Sequence, residues 1–218
     1  MKFEAIIFDM DGTLIDSMRL WRRVDQDFLS KRDIHVPADL LNHLPKGNSF
    51  IQTAQYFKDR FGLPDTPESI MGEWTNMVIW HYEHDILLKP GAKHLLEDLH
   101  GRNIPIGLGT SNSLELARKA LGNNGIWDFF LSVVTGDMEL LGKPFPDIYL
   151  RSSANLGIPA SECLVIEDTL TGIQAAKAAG MRAIAIHDED SVDFHPQIKA
   201  LADAFVEDFT RLKELLGI

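Results

Sequence analysis

The sequence predicts an α/β fold: a parallel β-sheet covered by helices on both faces, with a purely helical unit inserted after the first strand. Three observations lead there. Ala5-Ile6-Ile7-Phe8 is a short, unbroken run of β-forming apolar residues, the pattern of a strand buried on both faces. From Pro90 onward, short apolar runs alternate with helical periodicity, as parallel strands joined by crossover helices do. Residues 17–86, in contrast, carry helical periodicity alone. Residues 1–16 and 87–218 are therefore expected to form one α/β core domain and residues 17–86 an inserted helical domain. The crossings near Ile15 to Ser17 and Ile86 to Pro90 are short and would act as a hinge.

Taken in order, the first strand is followed by Asp9, Asp11 and Gly12. Trp21, Val24 and Phe28 then recur at i, i+3 and i+7, with Asp16 or Ser17 available as N-cap. Pro37 and Asp39 open a short segment with Leu40, Leu41 and Leu44, broken by Pro45-Lys46-Gly47. Phe50, Ala54, Phe57 and Phe61 mark a helix stopped by Gly62 and Pro64. Trp74, Met77, Val78 and His81 mark another, with Thr66 capping and Pro67 at its first position. In the core, strands are expected at 104–110, 131–134, 162–166, 183–186 and 204–206. Helices are expected around Ala92 to Leu99, at 113–121, near 146–156, at 170–179 and at 209–216.

Composition narrows the function classes. With 21 Lys and Arg against 32 Asp and Glu, the 218-residue chain has a formal charge of −11. Its basic residues gather only in pairs such as Arg22-Arg23 and Lys31-Arg32, so nucleic acid and anionic membranes are poor partners. Cys163 is the single cysteine and lies in an apolar run, which indicates a buried strand residue rather than a reactive thiol. Four consecutive apolar residues near the start are too few for a signal peptide, and no stretch approaches a membrane span. A cytoplasmic location is expected.

In a parallel α/β sheet, ligands bind beyond the carboxyl ends of the strands. Asp9 and Asp11 follow the first strand; two acids there repel unless a cation holds them, and a hard divalent ion is the usual holder. A calcium loop is excluded, because that motif places its glycine sixth and follows a helix. Thr110, Ser111 and Asn112 follow the second strand, where hydroxyls and free amides suit either a helix N-cap or an anion such as phosphate. Thr135-Gly136-Asp137 ends the third, with Lys143-Pro144 shortly after, and Glu167-Asp168 ends the fourth. Each group alone is compatible with capping or a solvated charge. Together they can bind one Mg2+ and neutralise a phosphoryl group.

Asp9-x-Asp11-Gly12-Thr13, Thr110-Ser111, Lys143-Pro144 and Glu167-Asp168 resemble the four ordered motifs of the haloacid dehalogenase (HAD) superfamily. The resemblance covers the whole chain, and the helical insert is similar to the small cap domain of the phosphoglucomutase-like and phosphoglycolate phosphatase-like branch. It implies a Rossmann-like HAD core and a Mg2+-dependent phosphatase acting on a small phosphorylated metabolite, of the sugar phosphate or phosphoglycolate class. Asp9 would be the nucleophile and Asp11 the general acid and base. Asp9, Asp11 and Asp168 would hold Mg2+, with Glu167 a fourth ligand or a neighbour of the site. Thr110, Ser111, Asn112 and Lys143 would bind the phosphoryl oxygens.

Mutases of this branch carry an Arg after a Gly-x-Ser in the cap and a His in its first helix. Here Gly47-Asn48-Ser49 is followed by Phe50, and Trp21 takes the place of the His. Both departures weigh against a β-phosphoglucomutase-like phosphomutase, although Lys46 is a nearby cation that could take the place of the Arg. Trp21, Lys46 and Phe50 are the candidate substrate residues. A non-catalytic HAD-like binding protein is the third alternative, disfavoured because every motif residue is present. The sequence leaves monomer and homodimer undecided.

Overall fold

The computed structural model describes residues 2–40 and 49–218, so Leu41, His43, Leu44, Lys46, Gly47 and Asn48 lie outside the described residues. Six parallel strands form one sheet in the order β3-β2-β1-β4-β5-β6. They are β1 (Ala5–Phe8), β2 (Ile106–Gly109), β3 (Phe130–Val134), β4 (Cys163–Glu167), β5 (Arg182–Ile186) and β6 (Ala204–Val206). β1 lies between β2 and β4, with Phe8 level with Leu108 on one side and Ile166 on the other. Asp9 therefore leaves the sheet at its centre.

Strand periodicity divides the interior in two. Ile6 and Phe8 of β1 join one apolar cluster, while Ala5 and Ile7 join the cluster on the opposite face. The first cluster runs without a break into the insert through Met10, Leu14 and Ile15 to Phe28, Phe57 and Trp74.

The insert is built from α1 (Met18–Ser30), α2 (Phe50–Phe61) and α3 (Pro67–His84). Thr66 caps α3 through its side chain, and Pro67 supplies a residue whose missing N–H costs nothing there. The buried stripe of α3 is Ile70, Trp74, Val78 and Tyr82. It thus continues at i+4 onto Tyr82 rather than onto the expected His81, whose ring turns outward to Asp85. Trp80 is also exposed, stacked on His84. Ser17 sits at the N-cap position of α1, but its hydroxyl is turned to Asp11 instead of to the helix.

The remaining helices are α4 (Ala92–Gly101), α5 (Leu114–Asn123), α6 (Asp147–Leu156), α7 (Leu170–Ala178), α8 (His195–Leu201) and α9 (Phe209–Leu216). The expected strand at 104–110 is shorter in the structure, since Pro105 has no N–H to give the ladder. The expected helix at 113–121 begins at Leu114, with Ser113 as its cap. A 3-10 turn at Glu189–Phe194 and helix α8 were not expected, because Ile198 is the one buried residue of α8 and leaves no apolar repeat to read.

Core and insert are joined by two crossings that run side by side. The Asp16 N–H donates to the Leu87 carbonyl (3.2 Å), and the Lys89 N–H to that of Leu14 (2.8 Å). Ile15 and Leu88 form an antiparallel bridge between them. Away from this junction, α3 packs along α5. Arg22 pairs with Asp190 and Lys119 with Glu83 (2.8 Å) across the same divide.

Candidate active site

The carboxyl ends of β1, β2 and β4, with the loop after β3, converge beneath the insert. Gly12 makes the turn after β1 with φ of +83°, and a Cβ there would lie 2.5 Å from Oδ2 of Asp168. Only glycine lets the first acidic loop press this closely on the fourth strand's loop. Gly136 does the same between the second and third loops, since a Cβ there would lie 1.8 Å from the Ser111 carbonyl oxygen. Its N–H donates to the Asn112 carbonyl (2.7 Å).

Lys143 is 3% exposed and donates to Oδ1 of Asp9 (2.5 Å) and Oε1 of Glu167 (2.6 Å). Tyr149 also donates to Oε1 of Glu167 (3.2 Å). The other oxygen, Oε2, accepts from the Asp168 N–H, the Thr169 N–H and the Thr169 hydroxyl. Asp168 accepts from the Thr13 hydroxyl (2.6 Å). Thr110 is buried, and its hydroxyl accepts from the Asn112 N–H (3.1 Å).

Asp11 is held differently. Its Oδ1 accepts from the Ser17 hydroxyl (2.6 Å) and from the phenol of Tyr82, while Oδ2 accepts from the Asn112 side-chain amide (3.0 Å). Trp21 Nε1 donates to the Tyr82 oxygen in turn (2.7 Å). Asn112 is thus directed at Asp11 and Tyr82, and Ser113 rather than Ser111 or Asn112 caps the following helix. Tyr82 was not among the residues the sequence singled out. Its signal was a phenol at the next core-facing position after Trp74 and Val78, opposite an acidic loop.

One atom from each of Asp9, Glu167 and Asp168 lies within 4.8 Å of the others, and all three residues are buried. Burial pushes the Asp9 carboxyl up to about 7; Lys143 opposes this and the Glu167 and Asp11 charges add to it. Burial, then Glu167 and Asp9, hold Asp168 well above the usual carboxylate range. Burial works against the charge of Lys143, but the Asp9 and Glu167 carboxylates outweigh it and raise Lys143 well above an ordinary lysine. Three acids facing one lysine leave negative charge uncompensated, and oxygen donors alone suit a hard divalent cation. The residues present fit a metal ion.

Above these groups lies a cavity of about 260 Å³. The core lines it with Asp9, Asp11, Thr110, Ser111, Asn112 and Lys143, so these expected site residues meet in one place. The insert adds Trp21 and Phe50, two of the candidate substrate residues, and also Asp25, Phe57 and Trp74. Lys46 lies outside the described residues. Cys163 is a buried strand residue away from this cavity, and burial pushes its thiol up to about 11.

Fold and site together define a doubly wound α/β protein with a cavity beyond the carboxyl ends of the sheet, beneath a helical insert. A family model of haloacid dehalogenase-like hydrolases matches residues 6–186. Hexitol phosphatase B of Escherichia coli (strain K12) is 28% identical over 217 residues, covering 98% of this chain and 96% of that protein. Fructose-1-phosphate phosphatase YqaB of the same organism is 30% identical over 193 residues, covering 85% of this chain and 97% of that protein. Among solved structures, CbbY from Rhodobacter sphaeroides in complex with phosphate superposes with a TM-score of 0.84 at 26% identity, covering 96% of each chain. The chain belongs to the haloacid dehalogenase-like hydrolases.

Proposed function

We propose that the protein is a Mg2+-dependent phosphatase that hydrolyses a small phosphorylated metabolite through an aspartyl phosphate on Asp9. The observation that carries this reading is the Asp9-Lys143-Glu167 cluster, set at the floor of a cavity with Asp11 on its wall. Membership of the family supports it, as do a phosphate-bound relative and two relatives that are named phosphatases.

A carboxylate oxygen of Asp9 attacks phosphorus, and the bond from phosphorus to the ester oxygen breaks as the phosphoryl group moves to Asp9. Asp11 gives the departing oxygen its proton. It then takes a proton from the water that attacks the acyl phosphate, releasing inorganic phosphate and restoring Asp9. Lys143, Thr110, Ser111 and the N–H groups of that loop neutralise the transferred oxygens. Asp9, the Asp11 carbonyl oxygen and Asp168 would hold Mg2+, which supplies positive charge to the phosphoryl group when bound. Both oxygens of Glu167 already accept hydrogen bonds, so its main task is to hold Lys143.

In this reading residues 17–86 act as the cap domain, which shields the reaction from bulk water by movement at the paired crossings. Phe50 on the cavity wall speaks against a mutase, since it offers no charge to a second phosphate. Phosphate release from a panel of sugar, polyol and two-carbon phosphates, measured with Mg2+ and with a chelator for wild type and Asp9→Asn, tests the assignment. Release that needs both the metal and Asp9 is expected. Isomerised sugar phosphate without net release would replace the phosphatase by a mutase.

A further inference from the structure

The insert lines the cavity with the aromatic Trp21, Phe50, Phe57 and Trp74, and with Met18, Asp25 and Thr53. Asp25 lies one turn after Trp21 on α1 and lines the cavity beside it. Desolvation is the one cause that displaces its carboxyl, which is pushed up to about 7 with no charge or hydrogen-bond partner among the described residues. Trp74 is 2% exposed and lines the same cavity. The Asp25 carboxylate is thus left, among the described residues, without a partner on the cavity wall, where an unmade hydrogen bond is costly.

We propose that Asp25 forms a hydroxyl-binding subsite that selects phosphate esters with an uncharged, hydroxylated body over esters carrying a carboxylate or a second phosphate. A hydroxyl can donate to Asp25, while Trp21, Phe50 and Phe57 cover the C–H faces beside it. An anionic group meets the Asp25 charge in a cavity of low dielectric. Among the described residues lining that cavity, Lys143 is the one cation, and Asp9 and Glu167 already engage it.

The proposal rests on the phosphatase reading, and a matched pair of substrates separates the two. Sorbitol 6-phosphate and 6-phosphogluconate differ at one carbon, a hydroxymethyl against a carboxylate. Their kcat/KM values, with p-nitrophenyl phosphate as the reference substrate, are measured for wild type, Asp25→Asn and Asp25→Ala above the Asp25 titration. Each preference is a ratio within one variant, so a partly misfolded preparation leaves it unchanged. The wild type is expected to prefer the neutral ester by about tenfold or more, and both substitutions to shrink that preference by about tenfold. A preference unchanged in both variants, with p-nitrophenyl phosphate still hydrolysed, overturns the subsite and leaves the phosphatase standing. Failure of the wild type to hydrolyse any of the three overturns both.

Discussion

Asp11 has its carboxylate held by Ser17, Tyr82 and Asn112, so one donor from each of three segments fixes its position, and in the proposed mechanism the place where its proton is delivered. Tyr82→Phe removes the donor that the insert supplies. Turnover of an alkyl phosphate is expected to fall about tenfold, a fraction of what general acid catalysis contributes. Turnover of p-nitrophenyl phosphate, whose leaving group needs little protonation, is expected to change far less; equal losses on both substrates would mean that Tyr82 serves packing alone. Lys143→Ala leaves Asp9 and Glu167 facing each other without their shared cation, and kcat/KM is expected to drop by about a hundredfold or more. Asp9, Asp11, Thr110, Glu167 and Asp168 were legible in the sequence because each stands beside an apolar run that announces a strand end, and Lys143 because the Lys-Pro after the third strand completes the set. Tyr82 and Asp25 were not, since periodicity reports which face a helical residue occupies but not what its polar atom meets.

At the scale of elements, two close approaches hold the loops in place. Gly136→Ala drives a methyl group into the Ser111 carbonyl, so a loss of roughly 1–3 kcal/mol is expected, visible as a lower Tm with activity falling alongside it. Helix α1 carries the opposite effect at Asp25. The carboxyl has an ordinary value of 3.8 and is raised by burial to about 7, so the folded chain binds the proton more tightly than the unfolded one. Stability from this group is full below 3.8 and is lost as pH rises through 7. Asp25→Asn is therefore expected to gain in Tm over wild type as pH climbs across that interval, by well under the ~4 kcal/mol that three pH units represent, because the group is partly open to solvent. A Tm difference that stays flat with pH would contradict the raised value. Helix positions were largely readable from apolar spacing and caps, as with Thr66-Pro67 before α3. Helix α8 was not, because a single buried residue makes no period.

For the whole molecule, the alternation of strands and helices and the unbroken helical stretch made the architecture legible before any coordinates. The way the insert rests on the core was not, because Tyr82 to Asp11, Arg22 to Asp190 and Lys119 to Glu83 join residues far apart in the chain. The uncompensated charge of Asp9, Glu167 and Asp168 belongs to this scale too, since it exists only once β1 and β4, far apart in the chain, lie side by side. Mg2+ is expected to raise Tm in the wild type, and Asp168→Asn to weaken that response. A response unchanged in Asp168→Asn would put the ion elsewhere. The central claim is that Asp9 takes the phosphoryl group before water does. The stereochemical course at phosphorus, followed with an isotopically chiral thiophosphate ester hydrolysed in heavy-oxygen water, tests it most directly. Two successive displacements predict retention of configuration, whereas inversion would mean that water attacks the ester itself and would contradict the account.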